Sequence, residues 1–241
     1  MSLITKIDER FYPGSGRNWD DHIFRQRILS LTNADTEMLD LGAGAGIVDA
    51  MNFQGIARRV CGVDLDPRVT DNPFLDEGKV CDANSIPYPE NSFDVIFSDN
   101  VFEHLEHPEL VLKEASRVLK PGGRLMFKTP NRRHYMPLIA RMTPHRFHQF
   151  INRIRGRDEA DTFPTFYRAN TPQDVRDLAR RTGFLVRRLE LIEGRPEYLR
   201  ISALSYLLGI AYERLVNRFA RFAQFRILLI ADLQKPVAET P

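Results

Sequence analysis

The stretch from Met38 to Gly46, MLDLGAGAG, ends an apolar run in three glycines at alternate positions. Glycines let a backbone turn sharply and come close to a ligand, and the amides at the start of a following helix can donate hydrogen bonds to a polar or anionic group. A dinucleotide site prefers Gly-x-Gly-x-x-Gly or Ala, whereas Ile47 stands at that last position here. The stretch therefore predicts a strand, a turn and a helix that bind a nucleotide-like ligand other than NAD, with a tight turn without a ligand as the alternative.

Strand and helix patterns alternate on either side of this turn. Helices are predicted over residues 19–31, 48–53, 108–119 and 172–182. Strands are predicted over residues 37–41, 59–64, 79–82, 93–98, 124–128, 184–191 and 226–233. This alternation indicates an α/β fold in which helices cover both faces of a largely parallel sheet. We expect a single domain over residues 1–241 that carries two insertions, at 131–168 and 196–223.

Two aspartates follow the second and third predicted strands. Asp64 ends the second strand, where a carboxylate can accept hydrogen bonds from both hydroxyls of a ribose. Asp82 follows the third strand, and it could accept a hydrogen bond from an adenine amino group while the amide of Ala83 faces a ring nitrogen. A solvated loop aspartate is the alternative for Asp64, and a turn cap is the alternative for Asp82.

Together these segments resemble the class I S-adenosylmethionine-dependent methyltransferases, in particular the methyltransferase type 11 group that includes ubiquinone and menaquinone biosynthesis enzymes. The segments that carry the resemblance are MLDLGAGAG, VCGVDLDP, VCDANSIPYPENSFDVIFSDNVFEHLEHP and EASRVLKPGGRLMFKTPN. The resemblance implies a Rossmann-like sheet of seven strands in the order 3-2-1-4-5-7-6, with only the seventh strand antiparallel. It also implies that S-adenosylmethionine lies across the carboxyl ends of the strands and leaves as S-adenosylhomocysteine.

The resemblance also implies which residues contact the cofactor. The contacts fall at the glycine turn under the methionine part, at the ribose, at the adenine and at the end of the fourth strand. In that order the residues are Asp40, Gly42, Gly44 and Gly46; Asp64; Leu65, Asp82 and Ala83; and Ser98, Asp99 and Asn100.

Methyl transfer is an in-line displacement, so the protein must align the donor and the acceptor and, for some acceptors, remove a proton. The candidate bases are His104, which follows the fourth strand in VFEHL, and His145 in the first insertion. A structural histidine at the start of a helix is the alternative for His104. His145 and His148 have no adjacent carboxylate or cysteine to complete a metal site, so no metal is expected.

A nucleic acid substrate is disfavoured. Enzymes that methylate amino groups of DNA bases resemble one another in an Asp/Asn-Pro-Pro-aromatic tetrapeptide after the fourth strand, and Asp99–Phe102 reads DNVF. The formal net charge is only +2, which does not favour binding by charge alone.

The two insertions carry the predictions about the acceptor. The first combines eight arginines with interleaved aromatic residues, which favours a lid over an anionic or phosphate-bearing acceptor; a solvated surface is the alternative. The second has leucines at helical spacing and arginines at 214, 218 and 221. Such a segment could lie on an anionic membrane, cap the acceptor, form a dimer contact or pack on the core. The predicted acceptor is a small molecule, a glycan or a lipid-linked compound.

No apolar signal segment opens the sequence, and Cys61 and Cys81 do not suggest a disulfide framework. We therefore expect a cytoplasmic monomer or homodimer, with peripheral contact at the inner membrane surface as one alternative. An enzyme is expected because a suitable residue fills every cofactor position. A catalytically inactive cofactor-binding or interaction module with the same fold is the alternative.

Overall fold

The computed structural model describes residues 2–14, 18–142 and 164–237. The strands within these ranges are β1 (Glu37–Leu41), β2 (Arg59–Asp64), β3 (Glu77–Val80), β4 (Phe93–Asp99), β5 (Leu119–Pro130), β6 (Leu185–Ile192) and β7 (Leu228–Gln234). The α-helices are α1 (Leu3–Phe11), α2 (Trp19–Leu29), α3 (Pro108–Val118), α4 (Tyr135–Met142), α5 (Pro172–Thr182) and α6 (Ala203–Arg218).

The seven strands form one sheet in the order β3-β2-β1-β4-β5-β7-β6, which confirms the predicted topology. β1 lies between β2 and β4 and is parallel to both. The amide of Gly122 donates to the carbonyl of Lys235 over 3.0 Å, whereas the amide of Asn131 donates to the carbonyl of Ile227 over 2.6 Å. Along β5 and the residue after it, the residue numbers rise from 122 to 131, while the residue numbers of the hydrogen-bond partners fall from 235 to 227. β7 therefore runs antiparallel to β5.

The central strands are apolar on both faces. In β1 Met38, Leu39 and Leu41 are fully buried, and in β4 Ile96 and Phe97 are fully buried as well. Continuous apolar runs are typical of parallel strands that are covered on both sides. Since β1, β2, β3 and β4 are parallel, their carboxyl ends share one edge of the sheet.

The prediction of a helix over residues 48–53 is wrong. The structure has only a short 3₁₀ helix there, Asp49–Met51, and the residue before it makes no capping hydrogen bond through its side chain. The guanidinium of Arg25 donates to the carbonyls of Ala50 and Asn52 over 2.7 and 2.6 Å. These carbonyls are the acceptors that a continuing helix would need, so the chain leaves the helical path.

Other boundaries differ from prediction in ways that local chemistry explains. α1 was not predicted, although the side chain of Ser2 caps its amino end. The third strand lies at Glu77–Val80 rather than 79–82. The helical segment predicted over 196–223 is divided into a 3₁₀ helix at Glu197–Leu199, α6, and a second 3₁₀ helix at Ala220–Phe225. α5 has the predicted bounds, and the side chain of Thr171 caps its amino end by accepting a hydrogen bond from the amide of Asp174.

The chain divides into two compact units. The first unit comprises Met1–Asp20, Pro130–Pro164 and Leu191–Leu228, and the second comprises Asp21–Thr129, Thr165–Glu190 and Leu229–Pro241. The second predicted insertion lies wholly in the first unit. Of the first predicted insertion, the described residues 131–142 and Pro164 belong to the first unit and residues 165–168 to the second. Within the first unit, α1 packs on α6 through Ile7, Tyr206 and Ile210.

Candidate functional site

The glycine turn after β1 is held in a conformation that other residues adopt only with strain. Gly42 has a φ of +86°, and a Cβ added to it would lie 2.2 Å from Cγ2 of Val101. Gly44 has a φ of +51°, but a Cβ there would meet only the Asp64 carboxylate, at 3.9 Å. Gly42 is therefore required by the packing of the turn, whereas the space beside Gly44 is open to a ligand.

Asp64, at the end of β2, is bonded to this turn. Its Oδ2 accepts a hydrogen bond from the amide of Gly44 over 2.8 Å, and its Oδ1 accepts one from the amide of Asp66 over 2.8 Å. An ionised carboxylate can accept about four hydrogen bonds in all. Asp64 can thus shape the turn and still accept hydrogen bonds from two hydroxyls of a ligand.

Asp40 and Asp99 place two carboxyl groups beside the turn. Asp40 lies near the end of β1 and is almost completely buried. Burial, and after it the carboxylates of Asp99 and Asp64, raise the pKa of Asp40 well above its ordinary value of 3.8. The fully buried ammonium of Lys128 lies 2.9 Å from Asp99 and also pairs with Asp21. The electrostatics favour a ligand that brings positive charge to Asp40.

Asn72 is part of the site, although it belongs to no recognisable sequence motif. Its side-chain amide donates to the carbonyls of Ala43 and Gly44 over 3.0 and 3.2 Å. Its Oδ1 lies only 2.3 Å from where a Cβ of Gly46 would stand. Asn72 therefore fixes the turn from outside and explains why position 46 is a glycine. The contact spans distant parts of the chain, so no local pattern marks it.

The predicted adenine contacts follow β2 and β3. Leu65 is 66% exposed, and Ile47 on the glycine turn is 78% exposed. Asp82 is exposed, and its Oδ1 accepts a hydrogen bond from the amide of Asn84 over 2.9 Å, so it also caps its own turn. Ala83, next to it, is half-buried. Exposed apolar side chains beside a polar turn can take the face of a planar base.

At the end of β4 the predicted residues have different environments. Ser98 is fully buried, and its hydroxyl donates to the carbonyl of Leu41 over 2.7 Å, so it holds β4 against β1. Asn100 is exposed and has a φ of 55°. Its amide donates to the carbonyl of Lys128 over 2.9 Å, and its side chain donates to Asp99 over 2.8 Å. Asn100 is therefore the one of the two whose side chain reaches the surface.

His104 ends a short 3₁₀ helix, Phe102–His104, after β4. Its Nε2 lies 4.0 Å from Oε1 of Glu103, which is buried. Oε2 of Glu103 accepts a hydrogen bond from the hydroxyl of Thr129 over 2.9 Å, and burial raises the pKa of Glu103. The structure thus places a partly exposed imidazole beside a buried carboxyl group.

The other histidine predictions fall elsewhere. His145, and with it the pair that it could form with His148, lies outside the described residues. Within the described ranges, no three side chains of His, Cys, Asp or Glu gather in a way that could hold a metal ion.

A second group of buried titratable side chains lies in the first unit. Nε2 of His134 makes no hydrogen bond and lies 3.4 Å from Oε2 of Glu193, which accepts a hydrogen bond from the amide of Ile227 over 2.9 Å. Burial lowers the pKa of His134 to about 3. Burial, and then repulsion from Glu213, raise the pKa of Glu193 to about 8. Both groups are therefore neutral at pH 7.

The sequence match to known families coincides with the site in the second unit. A family model described as a methyltransferase domain matches residues 39–127. This range begins within β1 and ends within β5, and it includes the glycine turn, Asp64, Asp82 and the end of β4.

Two curated relatives agree with this match. A protein of Mycolicibacterium smegmatis described as "Probable S-adenosylmethionine-dependent methyltransferase" is 34% identical over 148 residues, which are 56% of this chain and 55% of that protein. A ubiquinone/menaquinone biosynthesis C-methyltransferase of Desulfotalea psychrophila is 33% identical over 95 residues, which are 36% of this chain and 39% of the relative. The chain thus spans about half or less of the length of these relatives.

Among solved structures, the [4+2]-cyclase SpnF is similar in fold. It superposes with a TM-score of 0.59 at 17% identity, covering 95% of this chain and 86% of its own. At that identity the likeness concerns the fold alone, and the assignment depends on the domain match. Residues 39–127 of this chain therefore match a methyltransferase domain, and the sheet has the strand order that the resemblance to class I S-adenosylmethionine-dependent methyltransferases implied.

Proposed function

We propose that the chain is an S-adenosylmethionine-dependent methyltransferase that acts by in-line displacement. The observation that carries this proposal is the bond between Asp64 and the glycine turn. The Asp64 carboxylate is held 2.8 Å from the amide of Gly44, beside a space that a side chain on Gly44 would enter. This arrangement supplies a rigid acceptor of hydrogen bonds next to close-approaching backbone, which a nucleoside needs.

The residues of the site suit the parts of this cofactor. Asp64 accepts hydrogen bonds from the ribose, and Leu65 and Ile47 contact the adenine, to which Asp82 and Ala83 offer an acceptor and a donor. Burial and two neighbouring carboxylates make ionisation of the Asp40 carboxyl unfavourable. The positive charges of the methionine part would stabilise the ionised form, so Asp40 favours binding of this part of the cofactor. When bound, S-adenosylmethionine supplies a methyl group that its sulfonium already activates. The chain then has to align the acceptor and exclude water.

For an acceptor that must lose a proton, His104 is the proposed base. It is partly exposed after β4, and its Nε2 lies 4.0 Å from Oε1 of the buried Glu103. His145 is the second candidate, proposed from its place in the first insertion.

For the acceptor we propose a small molecule, a glycan or a lipid-linked compound, bound with the help of the two insertions. Support comes from the arginines and aromatic residues of 131–168 and from the exposed leucines of α6. We further propose a cytoplasmic monomer or homodimer, with peripheral contact at the inner membrane surface as one alternative. No helix in the described ranges combines the length and the apolar character needed to cross a bilayer.

Calorimetric titration tests the cofactor assignment without knowledge of the acceptor. We expect S-adenosylmethionine and S-adenosylhomocysteine to bind and NAD not to bind. Asp64→Asn should weaken both by about 10–100-fold, since a charged acceptor of two hydrogen bonds is lost. Asp71→Asn removes the same charge from an exposed position nearby and should leave binding unchanged. NAD binding, or full affinity in Asp64→Asn, would overturn the proposal. Cofactor binding without turnover on any acceptor would favour the inactive binding module.

A further inference from the structure

The helix α6 is apolar on two opposite faces. One face packs inside the first unit through Tyr206, Ile210 and Val216, all of which are buried. Leu204 and Leu208, on the opposite face, are 72% and 62% exposed, and Leu215 continues the same line seven residues on. The apolar face of a helix is normally buried against another surface, so the exposed second face of α6 is a candidate for a partner.

The exposed apolar surface continues beyond the helix at both ends. Ile201 precedes α6 and Phe219 follows it, and both side chains are exposed, as is Leu207. We call the surface formed by these six residues the leucine face: Ile201, Leu204, Leu207, Leu208, Leu215 and Phe219. Single exposed leucines are ordinary, but a continuous group of this size marks an interaction surface.

The exposed charged residues of the stretch that carries the leucine face are all basic. Between residues 201 and 222 the basic residues are Arg214, Arg218 and Arg221, and all three are exposed. The only acidic residue in that stretch is Glu213, which is buried, accepts hydrogen bonds from Tyr12 and Asn217 and pairs with Arg214 over 3.3 Å, so Arg218 and Arg221 are the arginines that it does not pair with. The face therefore presents leucines and arginines without an exposed carboxylate.

The combination of exposed leucines and arginines favours one kind of partner over another. A second copy of the chain could bury the leucines, but the stretch 201–222 would supply no exposed carboxylate for the arginines. A membrane surface with anionic lipids takes both: leucines enter the boundary between headgroups and acyl chains, and arginines meet phosphates. We propose that the leucine face of α6 docks the first unit on an anionic membrane surface. This proposal rests on the proposed function in one respect: the enzyme would encounter a lipid-linked acceptor at that membrane surface.

Vesicle flotation without cofactor or acceptor tests this separately from methyl transfer. We expect the wild-type protein to float with vesicles of phosphatidylglycerol and phosphatidylcholine, and to bind much more weakly to phosphatidylcholine alone or at high salt. The double variant Leu204→Gln/Leu208→Gln should bind the mixed vesicles at least about tenfold more weakly, since two exposed leucines lose their apolar contact. Arg218→Gln/Arg221→Gln should lose most of the preference for anionic lipid.

Leu185→Gln is the matched control, because Leu185 is a similarly exposed leucine on β6 in the second unit. It should bind like the wild type. Fluorescence of the single tryptophan, Trp19, in each variant shows that the fold is kept. Absence of binding to anionic vesicles, or equal binding by the double leucine variant, would overturn the proposal. A dimer in solution that this variant dissociates would assign the face to a second copy instead.

Discussion

Replacing Glu193 by glutamine should stabilise the protein at alkaline pH. The ordinary pKa of a glutamate is 4.5, and burial followed by repulsion from Glu213 raises the pKa of Glu193 to about 8. A group whose pKa is raised by folding stabilises the folded state fully below its unfolded pKa, and this contribution disappears as the pH rises through the folded pKa. The wild type should therefore lose stability between about pH 4.5 and pH 8. Glutamine stays neutral and can still accept the hydrogen bond from the amide of Ile227.

The size of the effect follows from the two pKa values. One pKa unit corresponds to about 1.4 kcal/mol, so the difference between 4.5 and about 8 sets an upper bound of about 5 kcal/mol. Rearrangement around the ionised carboxylate lowers this, and we expect Glu193→Gln to be more stable than the wild type by about 2–4 kcal/mol near pH 9. Near pH 4.5 the two proteins should agree within about 1 kcal/mol. His134 has the opposite dependence, losing its contribution as the pH falls from 6.5 toward about 3, so the comparison is made at matched pH.

Urea unfolding, followed by tryptophan fluorescence, measures the difference in the free energy of unfolding between Glu193→Gln and the wild type. Trp19 is the only tryptophan, and a Cβ on Gly194 would lie 2.5 Å from its ring, so the indole packs on the residue that follows Glu193. Glu9→Gln removes a carboxylate from an exposed position of the same unit and should leave the pH dependence unchanged. The reasoning fails if Glu193→Gln is no more stable than the wild type at pH 9.

Three further predictions concern the second unit. The raised pKa of Asp40 means that its carboxyl ionises more easily when a cationic ligand binds, so the affinity for S-adenosylmethionine should rise as the pH increases above the ordinary aspartate range. Asp40→Asn should flatten this dependence in calorimetry, and an unchanged slope would contradict the role of Asp40. Asn72→Ala removes the side-chain amide that donates to the carbonyls of Ala43 and Gly44, and it should lower the free energy of unfolding by about 1–3 kcal/mol. Thermal denaturation measures this loss, and an unchanged stability would refute the role of Asn72 in holding the glycine turn. His104→Gln should keep the dissociation constant of the cofactor within about twofold while lowering turnover by about 10²–10⁴-fold; equal turnover would leave His104 a structural residue.

Local patterns were sufficient for much of the fold. The bounds of β1 and β2 follow from short apolar runs that end in a glycine turn and an aspartate, and α5 follows from the Thr171 cap and the proline after it. These signals lie within a few residues of the elements that they define. The strand order came from the resemblance of several motifs in sequence, which the sheet confirms.

Contacts between residues that are far apart along the chain could not be predicted from local sequence patterns. The guanidinium of Arg25 takes carbonyls that a helix after the glycine turn would use, and this is why the helix expected over 48–53 is absent from that part of the described chain. Asn72 and Glu193 have no motif of their own, because each acts on a segment far along the chain. The side chain of Ser98 illustrates the same limit: its position at the end of β4 was predictable, but its hydrogen bond to Leu41 was not.

A crystal structure with S-adenosylhomocysteine bound tests the central claim, that Asp64 and the glycine turn hold the cofactor, most directly. We predict both ribose hydroxyls within hydrogen-bond distance of the Asp64 carboxylate, with the adenine against Leu65 and the methionine part beside Gly44 and Asp40. A nucleoside bound away from Asp64, with the space beside Gly44 empty, would contradict the account.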